Sequence, residues 1–262
     1  MSIYGTNSAD TIYGTSGNDI SIFGLDGNDL IYGFGGNDII DAGKGHDTVY
    51  GGSGNDTMLG RDGNDLLKGG SGNDAIWGEQ GNDTIYGEDG NDYMHGGDGN
   101  DQLLGGRGDD RIFGGLGDDR IMGVYSRNDV EVDILTGGGG KDTFVLGDYH
   151  SNFYNNGGNT DYALIKDFSS IDEIILDQGT YTTGASPFSD ASGTAIYEGS
   201  ELIAVVQGMR FFERLTFESS GFITKVTSRN LFTFDPGITQ PTLAGGTGEL
   251  LTAEINPNLA VL

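Results

Sequence analysis

The chain has 262 residues, 49 of them glycine, with no cysteine and a formal net charge of −27. That is too glycine-rich and too acidic for an ordinary compact core of this length. Such a negative surface excludes nucleic acid as a partner, whose phosphates want Lys and Arg, and excludes simple adsorption to anionic lipid.

Cations are the natural partners, and the acid is concentrated early: residues 1–146 carry 26 acids against 8 bases. No apolar run is long enough for a transmembrane segment. The N-terminus, Met1-Ser2-Ile3-Tyr4-Gly5, has neither a basic region nor an apolar one, so no cleaved signal is expected there. The lack of cysteine is compatible with a protein that stays unfolded until exported. Residues 5–23 hold two weak copies of a short motif, Gly5 to Tyr13 and Gly14 to Phe23, the second with one extra residue near Ser21. Atypical first copies suit a solenoid end, which has no neighbour on its outer side.

From Gly24 to Met122 the nine-residue copies run in unbroken register, as in Gly51-Gly52-Ser53-Gly54-Asn55-Asp56-Thr57-Met58-Leu59. A fixed short period marks a repeat array rather than a globular fold. Positions one to six are mostly Gly, Asn and Asp, which favour tight turns, and positions seven to nine centre on an aliphatic residue. The expectation is six residues of turn and three of strand. Two copies then make one coil of a solenoid with two stacked parallel sheets. The eighth position should point inward as a one-residue-per-repeat core: Ile31, Ile40, Val49, Met58, Leu67, Ile76, Ile85, Met94, Leu103, Ile112 and Ile121.

The sixth position is aspartate in every copy: Asp29, Asp38, Asp47, Asp56, Asp65, Asp74, Asp83, Asp92, Asp101, Asp110 and Asp119. Stacking brings each carboxylate within about 5 Å of its equivalent in the next coil, which is repulsive unless a cation lies between them. Carboxylates and free loop carbonyls, with no thiol and few histidines, suit calcium above zinc or copper. Asp19 and Asp142 join this candidate ligand row from the flanking copies, whereas Asp10 at the array's edge is a doubtful member.

This pattern resembles the RTX, or haemolysin-type, calcium-binding repeat proteins, whose signature is Gly-Gly-x-Gly-x-Asp-x-U-x with U a large aliphatic. The resemblance covers roughly residues 5–146. It implies an all-β fold, a right-handed parallel β-roll, in which one calcium lies between loop n and loop n+2. The ligands it implies are the sixth-position carboxylates and loop carbonyls such as those of Gly54, Gly63, Gly72, Gly81, Gly90 and Gly99. Thirteen consecutive loops make eleven stacked pairs, hence roughly ten calcium ions. Arg61, Glu79 and Glu88 replace the second glycine in three copies, which a site can tolerate if only the backbone there is a ligand.

The ninth position points outward. If alternate copies stack, Tyr13, Tyr32, Tyr50, Lys68, Tyr86, Leu104 and Met122 form one line, and Phe23, Asp41, Leu59, Trp77, His95 and Phe113 form another. Cross-strand packing is the favoured reading of these aromatics, with glycan or surface contact as the sharper alternative. After Met122 the register breaks by five residues at Gly123 to Arg127. The copy Asn128 to Thr136 has lost its glycines and is not expected to hold calcium, but Gly137 to Val145 is a good last copy.

Beyond residue 146 come longer strand-like segments: Tyr162 to Asp167, Glu173 to Asp177, Thr194 to Tyr197 and Leu202 to Gln207. The last two flank a hairpin signal at Glu198 to Glu201. Further strands are expected around Phe211-Phe212 with Leu215 to Phe217, and from Phe222 to Phe234. The segment resembles those that close secreted RTX arrays, and its later part the version in cyanobacterial calcium-binding repeat proteins. Residues 147–234 therefore read as a β-rich cap over the open end of the roll, and 235–262 as a poorly ordered tail. The resemblance places an uncleaved type I export signal at the tail's end.

No catalytic constellation is legible. His-Glu-x-x-His and Gly-x-Ser-x-Gly are absent, and His46, His95 and His150 are scattered. Arg107-Gly108-Asp109 spells an adhesion triplet, but repeat grammar explains it. The sequence thus points to a non-catalytic calcium-binding roll, extracellular or at the cell surface. The rival is the export and folding module of a larger RTX enzyme or toxin.

Overall fold

In the computed structural model, residues 2–19, 21–124, 131–147, 154, 162–176, 181–187, 193–198, 200–207, 213–220, 223–230, 232–233 and 242–243 are described. They form strands β1 to β25 in chain order. Among the described residues no helix is long and apolar enough to cross a membrane. The expected insertion at 125–127, His150, Phe211-Phe212 and nearly all of the expected tail lie outside these residues.

Odd and even copies separate into two sheets. One contains β1 (Ser2–Tyr4), β3 (Ser21–Asp26), β5 (Ile39–Lys44), β7 (Thr57–Asp62), β9 (Ala75–Gln80), β11 (Tyr93–Asp98), β13 (Arg111–Leu116), β15 (Val132–Gly139) and β17 (Tyr162–Ile165), in that order. The other contains β2 (Thr11–Tyr13), β4 (Leu30–Gly35), β6 (Thr48–Ser53), β8 (Leu66–Ser71), β10 (Thr84–Asp89), β12 (Gln102–Arg107), β14 (Arg120–Val124), β16 (Thr143–Val145) and β18 (Glu173–Leu176). Pairing is parallel and in repeat register, with Met58 opposite Ile76 and Ile76 opposite Met94. Two copies therefore make one coil of a parallel β-roll, as the period requires.

The division of each copy differs from the sequence expectation. Strands are six residues long, as in Thr57–Asp62, and run through positions one to three of the next copy. Only Gly-Asn-Asp remains as the turn. Glycine at the first position serves close approach rather than turning. A Cβ on Gly60 would lie 2.8 Å from the carbonyl oxygen of Gly78 in the next coil. At the fourth position the glycine does turn the chain, with φ of +130° at Gly72.

Alternation along each strand sends the eighth-position residue inward. Ile31, Ile40, Val49, Met58, Leu67, Ile76, Ile85, Met94, Leu103, Ile112 and Ile121 are all buried in one continuous cluster. The core widens near the C-terminal end of the array, where Phe144, Tyr154 and Phe168 are fully buried and Phe144 and Phe168 meet at 6.2 Å between ring centroids.

Residues Met1–Arg229 make one compact unit. Parallel pairing continues past residue 146, since β17 adds to β15 and β18 to β16. The sheets then change character. On the first, β21 (Glu201–Val206) follows β17, and β20 (Thr194–Glu198) and β19 (Tyr181–Ala185) complete an antiparallel end, with the expected hairpin closing Glu198 against Glu201. On the second, β23 (Ile223–Asn230) runs antiparallel to β18, and β22 (Glu213–Ser220) lies outside it. Residues Asn230–Leu262 form a separate unit, in which β24 (Phe232–Thr233) pairs with β25 (Thr242–Leu243).

The outward rows fall as the stacking rule predicts. Tyr32 and Tyr50 stack at 5.1 Å, Tyr13 and Tyr32 at 5.6 Å, and the Lys68 ammonium lies 5.0 Å from the Tyr86 ring centroid. Ring faces are thus covered by their neighbours along the row, the arrangement of cross-strand packing. Arg61, in the left-handed region at φ 81°, bridges Asp41 at 2.8 Å and Glu79 at 3.2 Å on the outer face.

Two adjacent isoleucines test the alternation. Ile40 is fully buried, while Ile39 is 46% exposed. Ile40→Ala should destabilise the folded chain by about 2–4 kcal/mol and Ile39→Ala by less than about 1 kcal/mol. Denaturant titration of both variants checks this, and equal losses would contradict the inward row.

Candidate functional site

Position six closes the turn two residues before position eight, and the sixth-position aspartates enter the roll beside the apolar row. Those from Asp19 to Asp142 are buried, and Asp10 at the edge is half-buried. They form two columns joined by main-chain bonds, in which the amide of one aspartate donates to Oδ1 of its equivalent in the next coil. One column runs Asp10, Asp29, Asp47, Asp65, Asp83, Asp101, Asp119, Asp142 and Asp172, with donor–acceptor distances of 2.7–3.1 Å. The other runs Asp19, Asp38, Asp56, Asp74, Asp92, Asp110 and Asp133 at 2.7–2.9 Å.

The second carboxylate oxygen separates the ends from the interior. At the ends, protein donors hold it. Asp10 Oδ2 accepts from the Thr6 amide at 2.6 Å and the Thr6 hydroxyl at 2.8 Å, and Asp19 Oδ2 accepts from the Thr15 amide at 2.7 Å. Asp172 Oδ2 accepts from the Ser169 amide at 2.7 Å, and Asp133 Oδ2 from the Tyr154 hydroxyl. In the interior, Oδ2 of Asp29, Asp38, Asp47, Asp56, Asp65, Asp74, Asp83, Asp92, Asp101, Asp110, Asp119 and Asp142 is buried without a hydrogen-bond partner. Of the candidate ligands, only Asp19 falls among the donor-held ends.

Sequence reasoning missed two parts of this site. Oδ2 faces the first-position glycine row. The vacant Cβ position of Gly51 lies 2.5 Å from Asp56 Oδ2 and 2.7 Å from the Gly69 carbonyl oxygen, so a carboxylate and a main-chain carbonyl converge there. The carbonyls of Gly54, Gly63, Gly72, Gly81, Gly90 and Gly99 lie against the fourth-position glycine of the following coil, Gly54 against Gly72 for example. The second missed part is a ladder at position five. Asn73 receives Asn91's amide on Oδ1 and donates its own amide to Asn55 Oδ1, both at 2.9 Å. These bonds run opposite to the aspartate bonds and hold the three-residue turns in line. His46 takes an asparagine's place, its Nδ1 accepting from the Asn64 amide at 2.8 Å. The signal for this ladder was asparagine or its mimic every nine residues.

The arrangement fits a hard divalent cation. Its donors are all oxygen, the chain has no cysteine, and a buried carboxylate oxygen without a donor costs several kcal/mol unless a charge offsets it. Among the described residues no three acidic or histidine side chains gather at one point. A bound ion must therefore complete its shell with main-chain carbonyls, which calcium, taking six to eight oxygens, accommodates.

Burial drives these carboxyls toward the protonated form. It raises Asp47, Asp74, Asp101 and Asp142 to about 6 and Asp56, Asp65, Asp83, Asp92 and Asp119 to about 7. Asp110 reaches about 9, burial being joined there by the charge of Asp133. A folded pKa above the unfolded value means stability that is complete at acid pH and lost as pH rises. In chelator, β structure should therefore appear below about pH 4 and disappear between about pH 4 and 7. With calcium present, protons compete for the same oxygens, so the calcium midpoint should rise as pH falls below about 7. Circular dichroism across pH, with chelator and with calcium, checks both directions.

The family model described as the RTX calcium-binding nonapeptide repeat (4 copies) matches residues 2–20, 21–49, 50–85, 68–103, 95–123 and 132–148, over half of the chain. No curated protein matches the chain significantly. Period, parallel roll, aspartate columns and family match agree: the chain belongs to the RTX calcium-binding nonapeptide-repeat family.

Proposed function

We propose that this chain is a non-catalytic, exported protein whose array folds around roughly ten calcium ions. The observation that carries the reading is the pair of columns of buried aspartate oxygens without protein partners, in a chain of calcium-binding repeats. The ligands proposed are the interior aspartates from Asp29 to Asp142 with main-chain carbonyls of the stacked glycines. Residues 147–234 act as the cap, a role supported by the change from parallel to antiparallel pairing after β17 and β18.

The proposed mechanism couples folding to location. With one buried aliphatic and one buried carboxylate per repeat, the metal-free array gains too little from apolar burial to offset chain entropy, so binding energy becomes folding energy. Extracellular calcium modules bind with dissociation constants on the order of 10⁻⁴ to 10⁻³ M. Cytosolic calcium then leaves the chain unfolded and fit for export, while exterior calcium folds it and prevents return.

Far-ultraviolet circular dichroism should show coil at neutral pH in chelator and β structure after millimolar calcium. Magnesium should substitute poorly, because its small octahedral shell sheds water reluctantly. A protease-resistant array in excess chelator at neutral pH would sink the proposal. Within the columns, Asp74→Ala removes an orphaned oxygen, whereas Asp10→Ala removes one already held by Thr6. The first should raise the calcium midpoint roughly tenfold and the second little, since affinity follows the count of charged ligands. Equal midpoints in a calcium titration would contradict the stacking model.

A further inference from the structure

We propose that the Tyr154 hydroxyl takes the carbonyl's place at the Asp133 rung and satisfies by hydrogen bonding the carboxylate oxygen that a cation would otherwise satisfy, so that the second column of cation sites stops at Asp110. The inference rests on the calcium reading above and adds to it a residue that sets how many ions the chain holds.

The geometry repeats along the roll and changes at its last rungs, where the three atoms nearest the vacant Cβ position of Gly137 all belong to Asp142. At an interior rung the vacant Cβ position of the first-position glycine is bordered by that repeat's aspartate Oδ2 and by the glycine carbonyl of the next coil. At Gly105 these are Asp110 Oδ2 and the Gly123 carbonyl. At Gly123 the carboxylate is Asp133 Oδ2, but the second oxygen is the Tyr154 hydroxyl. Tyr154 thus stands where a following coil would place its carbonyl.

The replacement differs in one respect that matters for a cation. A carbonyl oxygen offers only lone pairs, whereas a phenol also offers a proton. That proton is donated to Asp133 Oδ2, while Asp133 Oδ1 accepts the Asp110 amide at 2.9 Å as in every other rung. Tyr154 is fully buried, and burial together with the Asp133 charge raises its phenol well above the usual value, so the proton stays in place. Asp133 Oδ2 is therefore satisfied by a hydrogen bond where Asp110 is left with an orphaned oxygen.

Removing the hydroxyl alone should return the Asp133 rung to the state of the interior ones. Native mass spectrometry of the full chain in millimolar calcium counts bound ions per molecule. Tyr154→Phe should bind one ion more than wild type, and Tyr154→Phe combined with Asp133→Asn should return to the wild-type count. Asp133→Asn alone should leave the count unchanged. A folded Tyr154→Phe chain with the wild-type count overturns the inference, and so does loss of an ion in Asp133→Asn. If Tyr154→Phe shows no β structure by circular dichroism, the Asp133→Asn count alone decides. A wild-type chain that binds no calcium overturns the calcium reading itself, an outcome distinct from an unchanged count in the variants.

Discussion

The structure depends on what becomes of one carboxylate oxygen per repeat. A buried aliphatic side chain contributes about 1.5–3 kcal/mol, and an unpaired buried carboxylate costs several kcal/mol. The roll contains these two side chains in equal number along its interior, so apolar burial cannot hold it against its own charge. Hydrogen bonding removes only half the difficulty, because each carboxylate takes an amide on Oδ1 and leaves Oδ2 bare. On the proposed reading, cations belong to the core in the sense that methionines and isoleucines do.

The ends of the columns show the alternative solution. Thr6 and Thr15 supply donors at the first coils, and Ser169 and Tyr154 at the last. The C-terminal segment extends the repeat scheme with other residues. Asp172 takes a place in the column, and Asp167 accepts the amides of Gly137 and Gly138 at 2.9 and 2.8 Å. A chain that must end a periodic array without exposing half-made rungs has used side-chain and main-chain donors in place of metal.

Much of this was legible because it is periodic. A spacing of nine fixes the aspartate row and the apolar row. The alternation of two copies per coil fixes which residues face one another, so Tyr32 against Tyr50 followed without coordinates. Features that depend on the distance between coils were not legible. Glycine at position one reads locally as turn, yet it lies in a six-residue strand where neighbouring coils approach too closely for a Cβ. The asparagine ladder was visible as a composition but not as a bond pattern, since nothing local gives its direction. Tyr154 carried no signal at all: its contact with Asp133 joins residues 21 apart in the chain, the tyrosine lying beyond the last repeat copy.

The two ends of the array are not equivalent, and the difference follows from the same constraint. Exposed large apolar side chains lie in the first coils at Tyr4, Tyr13, Leu25, Phe34 and Ile39, and further on at Tyr93, Leu116 and Ile171. The last coils bury Phe144, Tyr154 and Phe168, and the strands that follow add a second apolar cluster around Ala195, Leu202 and Val205. In a one-dimensional array each coil is stabilised only by its neighbours. The end with the widest core, whose final rungs are closed by protein donors, requires the least metal to persist. Every coil between the donor-held ends presents an orphaned oxygen and a single aliphatic residue per sheet, so on the proposed calcium reading it holds only when the coil on each side and the ions among them are in place. The amide of each aspartate is bonded to the carboxylate of the next, so that reading makes folding cooperative in calcium.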